Sequence, residues 1–114
     1  MRFFSNEIAK LFSGLQVKSM QRVQMVPKSR SGMPPGSLIF FNYRFGGWTA
    51  VLSVSPVTKD AKTGNRLFTG FKVPLDGDYT PASLTSLYKN KELPQENYRT
   101  YILNRIKSPV WRIK

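Results

Sequence analysis

Residues 37–55, SLIFFNYRFGGWTAVLSVS, decide how this chain folds. Two runs rich in aromatic and β-branched residues flank Gly46-Gly47, a spacing that reads as a β-hairpin closed by a two-residue turn. That turn sets a register in which Phe45 faces Trp48, Tyr43 faces Ala50, Phe41 faces Leu52 and Ile39 faces Val54. Side chains alternate along a strand with a period of two, so all eight fall on one face of the ribbon. The opposite face pairs Arg44 with Thr49, Asn42 with Val51, Phe40 with Ser53 and Leu38 with Ser55. The expectation is one apolar core face, holding Phe41, Tyr43, Phe45 and Trp48, and one mixed face.

Downstream, Pro56 ends the second strand, and residues 57–65 carry turn signals at Asp60, Gly64 and Asn65. RLFTGFKV (66–73) reads as a third strand, with Leu67, Phe71 and Val73 on one side and Arg66, Phe68 and Lys72 on the other. Three such strands make an antiparallel meander. Thr80-Pro81 is a helix start, a cap followed by the first helical position, and Leu84, Leu87 and Tyr88 recur at helical spacing. Pro94 interrupts; a second helix from about Gln95 would align Tyr98, Tyr101, Ile102 and Ile106 until Ser108-Pro109 stops it. The tail VWRIK alternates and reads as a returning edge strand.

Upstream, Ser5 caps a short amphipathic helix with Ile8, Leu11, Phe12 and Leu15 on one stripe. Three turns are marginal alone, so that stripe must dock on the body or on a partner. Residues 17–26 suit a strand or a helix equally, and PKSRSGMPPG (27–36) reads as a linker. The fold class expected is therefore α+β: a small antiparallel β-meander or SH3-like barrel with a short N-terminal helix and C-terminal helices. Residues 1–32 read as an N-terminal helix and basic docking arm, and 33–114 as a single globular β-rich domain. PPGSLIFFNYRF (34–45) resembles the opening strand of small SH3-like barrels, in which a Pro-Gly turn leads into an apolar strand.

The composition removes whole classes of chemistry. With no Cys there is no disulfide, thiol nucleophile or thiolate metal site, and with no His there is no imidazole base. The six carboxylates do not assemble into a site: Asp76-Gly77-Asp78 lacks the distal ligands of a calcium loop, and Pro94 separates Glu92 from Glu96. Gly64-Asn65-Arg66 lacks the spacing of a phosphate-binding loop. The expectation is no enzyme, no cofactor, no metal and no small-molecule substrate. No apolar run reaches the ~18–20 residues that cross a bilayer, and the basic residues are not concentrated on one strongly amphipathic helix, so no membrane partner is expected. The N-terminus lacks a cleavable leader, which points to a cytoplasmic protein, or one in a virion assembled in the host cytoplasm, rather than a secreted one.

What remains is charge. Eighteen Lys and Arg stand against six Asp and Glu, a net +12 on 114 residues. Residues 1–32 hold six basic and one acidic residue, 33–80 hold five and three, and 81–114 hold seven and two, so the excess sits at the ends. A surplus of this size implies a polyanionic partner, DNA, RNA or an acidic protein surface. The cations expected to meet it are Lys18, Arg22, Lys28, Arg30, Lys59 and Lys62, with Arg44, Arg66 and Lys72 on the mixed sheet face. There Phe40 and Phe68 are interleaved as base-stacking rings, unless the helices cover that face. Ile8, Leu11, Phe12 and Leu15 are the expected partner-docking residues. The leading functional expectation is a non-enzymatic structural or adaptor component of a multi-subunit assembly, virion-like or nucleoprotein; the alternative is a free-standing DNA- or RNA-binding regulator.

Overall fold

The hairpin forms three residues out of the expected register. A computed structural model describes residues 20–23 (backbone only), 34–44, 47–74 and 79–113. In it, β2 (Leu38–Tyr43) pairs with β3 (Gly47–Ser53) so that Tyr43 meets Gly47, Phe41 meets Thr49, Phe40 meets Ala50 and Leu38 meets Leu52. Gly47 takes the first position of β3, at φ +68°, instead of lying in the turn.

An odd shift regroups the faces. Ala50 and Leu52 now share a side with Leu38 and Phe40, and Val51 shares the other with Ile39 and Phe41. The expected register would have turned Leu38, Phe40 and Val51 toward a polar face; the observed one buries every one of them. Both faces of the hairpin are core, and the gain in apolar burial favours this pairing.

The remaining strands are β1 (Met20–Val23), β4 (Thr58–Lys59), β5 (Arg66–Lys72), β6 (Tyr98–Ile102) and β7 (Val110–Ile113). They make one seven-stranded antiparallel sheet in the order β1-β7-β2-β3-β5-β4, with β6 on the other edge of β5. After β6 a 3-10 turn, Leu103–Arg105, carries the chain to a bridge between Ile106 and Tyr43 on the outer edge of β2. β7 then joins that same edge at Ile39 and Phe40. The link from β6 to β7 thus draws the two sides of the twisted sheet toward each other, and the sheet curls into a half-barrel.

Among the described residues there is one α-helix, α1 (Pro81–Lys89). Its start follows the sequence signal: the Thr80 hydroxyl accepts from the Ser83 backbone N–H (3.1 Å), and Ser83 Oγ accepts from the Thr80 N–H (2.8 Å). Its end is closed by Lys91 N–H to Tyr88 O (3.1 Å) and Glu92 N–H to Leu87 O (2.9 Å), with Lys91 in the left-handed region at φ +56°.

The α+β expectation is therefore corrected to a mostly β fold, a curled antiparallel half-barrel in place of a closed SH3-like barrel flanked by helices. The second C-terminal helix is β6, because YRTYI pairs along β5 from Leu67↔Ile102 to Phe71↔Tyr98. The tail is a strand, but β1 on one side and β2 on the other make it internal. The N-terminal helix expected over residues 5–15 lies outside the described residues, as do residues 27–33 of the linker.

Two cores result, one on each side of the sheet. The first joins Leu38, Phe40, Ala50, Leu52, Phe71 and Val73 to Leu84 of α1, Leu93 and Ile113. The second joins Ile39, Phe41, Tyr43, Val51 and Phe68 to Val57, Tyr101 and Val110. Gly70 lies opposite Ser53 in the β3–β5 pair, and a Cβ there would collide with Val51 Cγ1.

Candidate polyanion-contact surface

The two rings expected to stack bases are both fully buried, and they lie in different cores. Phe40 belongs to the first core and stacks on Trp48 at 5.0 Å between centroids. Phe68 belongs to the second and stacks on Tyr101 at 5.4 Å, with the Phe41 ring edge-on at 6.4 Å. Neither has a face to offer a ligand, because each is 0% exposed. Burying apolar strand residues on both sides of the sheet leaves charge as what the strands present outward.

Five exposed cations, Arg44, Lys59, Lys62, Arg66 and Lys107, lie with the half-buried Arg105 on segments that hydrogen bonds join, whereas Lys72, Lys89, Lys91 and Arg99 are exposed elsewhere. Lys59 and Arg66 are cross-strand neighbours in the β4–β5 pair, and both are exposed. Lys62 projects from the intervening turn, which is built on Asp60. One Asp60 oxygen accepts from Thr63 Oγ1 (2.7 Å), the other from the Lys62 N–H (3.3 Å), and the Asp60 carbonyl accepts from the Gly64 N–H (2.8 Å). The Thr63 hydroxyl, then the Lys62 N–H, hold the Asp60 carboxyl below its ordinary range. The carboxylate stays ionised and structures the turn that carries Lys62.

Asn65, at the end of this turn, receives the Asn104 side-chain amide at 3.5 Å. That contact joins the β4–β5 tip to the 3-10 turn, whose Arg105 carbonyl accepts the Arg44 N–H (2.8 Å). Lys107 donates its N–H to Asn42 O (2.8 Å). Lys59, Lys62 and Arg66 are thereby continuous with Arg44, Arg105 and Lys107, and Asp60 is the one carboxylate that the sequence places in these segments. A rim of six cations results.

Lys72 is exposed but lies six residues along β5 from Arg66, about 20 Å away at strand rise, and does not join the rim. The backbone of Arg22 sits in β1 opposite Trp111. Lys18, Lys28 and Arg30, and the docking residues Ile8, Leu11, Phe12 and Leu15, lie outside the described residues.

Arg105 and Lys107 escaped the sequence reading because a helix was expected there; the seven-to-two charge count of residues 81–114 was the signal that pointed to them. Among the described residues no three Asp or Glu gather as a metal site, and no helix is long and apolar enough to cross a membrane. No protein-family model matches the chain, and comparison with curated proteins and with solved structures gives no significant match.

Proposed function

We propose that the protein is a non-enzymatic adaptor of a larger nucleoprotein or virion-like assembly, which seats on nucleic acid through the basic rim. The observation that carries this reading is the continuity of Lys59, Lys62 and Arg66 with Arg44, Arg105 and Lys107 across the Asn65–Asn104 contact. These cations come from three separate chain segments that hydrogen bonds join, so the fold sets how they are arranged. Such a surface fits a repeating row of phosphates better than a single charged group. Contact of this kind is sequence-independent, as suits a packaging or scaffolding role.

The test is what travels with the untagged full-length protein. Purified at low salt it carries nucleic acid, which leaves as salt is raised, whereas the Lys59→Gln/Lys62→Gln/Arg66→Gln protein purifies free of it. Equal nucleic-acid content in both proteins would refute the rim. Incorporation into the assembly is tested by deleting residues 1–19, because Met20–Val23 form β1 and a longer deletion would uncover the edge of β7. The truncated protein is expected to fold and to be lost from the assembly; normal incorporation would remove the docking arm from the account.

A further inference from the structure

Two of the clefts on the described surface differ in the kind of polar groups they hold. The larger, about 670 Å3, lies between the start of β2, α1 and the end of β7. Its hydroxyls are engaged by its own walls: Ser37 Oγ donates to Pro34 O (2.7 Å) and Thr85 Oγ1 to Pro81 O (2.9 Å). The smaller, about 500 Å3, has Val54 and Leu93 as apolar lining and draws Tyr88, Lys89, Lys91, Gln95 and Tyr98 around it. Tyr88 and Tyr98 pack one part of their rings on the first core and turn the remainder to the cleft. Among the described residues nothing hydrogen-bonds either tyrosine hydroxyl or pairs with the two lysine ammonium groups. Apolar walls with a few convergent, unengaged polar groups are the usual make-up of a ligand site, and the volume admits one nucleotide-sized molecule.

The backbone adds a second observation. Lys91 occupies the left-handed position that closes α1, where glycine is the favoured residue because a Cβ crowds the neighbouring carbonyl. The chain carries a long cation there, beside the cleft, at the expense of the conformation glycine would adopt freely.

We propose that this cleft holds one unpaired nucleotide of a single-stranded nucleic acid, its base against Tyr88 and Tyr98 and its phosphate between Lys89 and Lys91. Flat aromatic rings with cations beside them are the two elements of sequence-tolerant strand binding, and the cleft has both; the Gln95 amide beside them is able to meet a base edge. Glu92 and Glu96 lie on the same segment but do not line the cleft, and the Arg99 guanidinium is engaged by the backbone carbonyls of Glu96 and Tyr98 (both 2.8 Å). The proposal rests on the reading that the protein contacts nucleic acid, but it uses no residue of the rim.

The experiment measures binding of the full chain to a short oligothymidylate and to a duplex of equal length, at low salt. Lys91→Gly removes the charge while suiting its φ, so its melting temperature is expected to equal or exceed that of the wild type. Its oligothymidylate affinity falls roughly threefold for one lost phosphate contact. Tyr98→Leu keeps an apolar group on the core and lowers oligothymidylate affinity roughly fivefold or more through lost stacking. Both variants bind duplex as the wild type does. Lys59→Gln/Lys62→Gln/Arg66→Gln has the opposite profile, losing duplex first, so failure of the rim and failure of the cleft are separable. Unchanged oligothymidylate affinity in Lys91→Gly and Tyr98→Leu, or no single-strand binding by the wild type, would overturn the proposal. Thymidine monophosphate binding as tightly as the oligomer would overturn the strand as the occupant.

Discussion

The two sides of the β2–β3 hairpin are both buried, yet they are closed by different means. On one side Leu38, Phe40, Ala50 and Leu52 lie under a nine-residue helix that contributes Leu84. On the other, Ile39, Phe41, Tyr43 and Val51 meet Phe68 and Tyr101 because the sheet bends back on itself. Tyr101 is the hub of that second side, with Phe41, Tyr43 and Phe68 rings at 5.6, 5.1 and 5.4 Å. A helix laid on a sheet can shift to refill a void, whereas interlocked rings inside a curl have no element free to move. The same apolar content should therefore tolerate change on the helix side and resist it on the curled side.

The largest effect tests that contrast directly. Phe68→Ala is expected to cost about 4–5 kcal/mol in denaturant melts, and Leu84→Ala about 2–3 kcal/mol, because α1 can settle into the space left. Equal costs, or a greater one for Leu84→Ala, would break the distinction. Gly70→Ala should cost about 2–3 kcal/mol, because its new methyl meets Val51 Cγ1 across the β3–β5 pair. An unaffected melt would mean that the strands can separate there. Thr80→Ala removes the cap of α1 and should cost about 1 kcal/mol, leaving the aromatic side unchanged in near-UV circular dichroism.

The smallest effect sharpens the picture of the curled side. The Tyr101 hydroxyl is buried with no hydrogen-bond partner among the described residues, and burial pushes its pKa up to about 12. Because its folded pKa lies above the ordinary tyrosine value of about 10, its contribution is complete below about pH 10 and is lost as pH rises through about 12. Tyr101→Phe should be neutral or stabilising by up to about 1 kcal/mol at pH 7, and should flatten the fall in stability between pH 10 and 12. A destabilised Tyr101→Phe would show that the hydroxyl has a partner. Tyr43, whose hydroxyl accepts the Ile102 N–H at 3.0 Å, is the internal control, and Tyr43→Phe should cost about 1 kcal/mol.

The same contrast explains what could be read from the sequence. Thr80-Pro81 marked the helix start because capping is local chemistry, carried by residues three apart. The hairpin's existence was legible for the same reason, but its register depended on a helix about forty residues downstream that needed something to cover. The second C-terminal helix was misread for an instructive cause. Tyr98 and Tyr101 are three apart, which on a helix is one face and on a strand is two opposite faces. Here Tyr98 packs on the first core and Tyr101 lies in the second. Phe68 with Phe71, and Val110 with Ile113, divide between the cores in the same way. In a sheet buried on both sides, apolar residues three apart serve two cores and imitate a helical stripe. Of the site, the charges Lys59, Lys62, Arg66 and Arg44 were legible as single cations, but their continuity with Arg105 and Lys107 required the Asn65–Asn104 contact between distant segments.

With both sheet faces closed over their own cores, the proposed duplex contact falls to the charges of the rim. The most direct test is the salt dependence of duplex binding by the full chain, compared with Lys59→Gln/Lys62→Gln/Arg66→Gln. The slope of log affinity against log salt is expected to be shallower in the variant by about 2–3, close to 0.9 for each lost phosphate contact. Identical slopes would contradict the account.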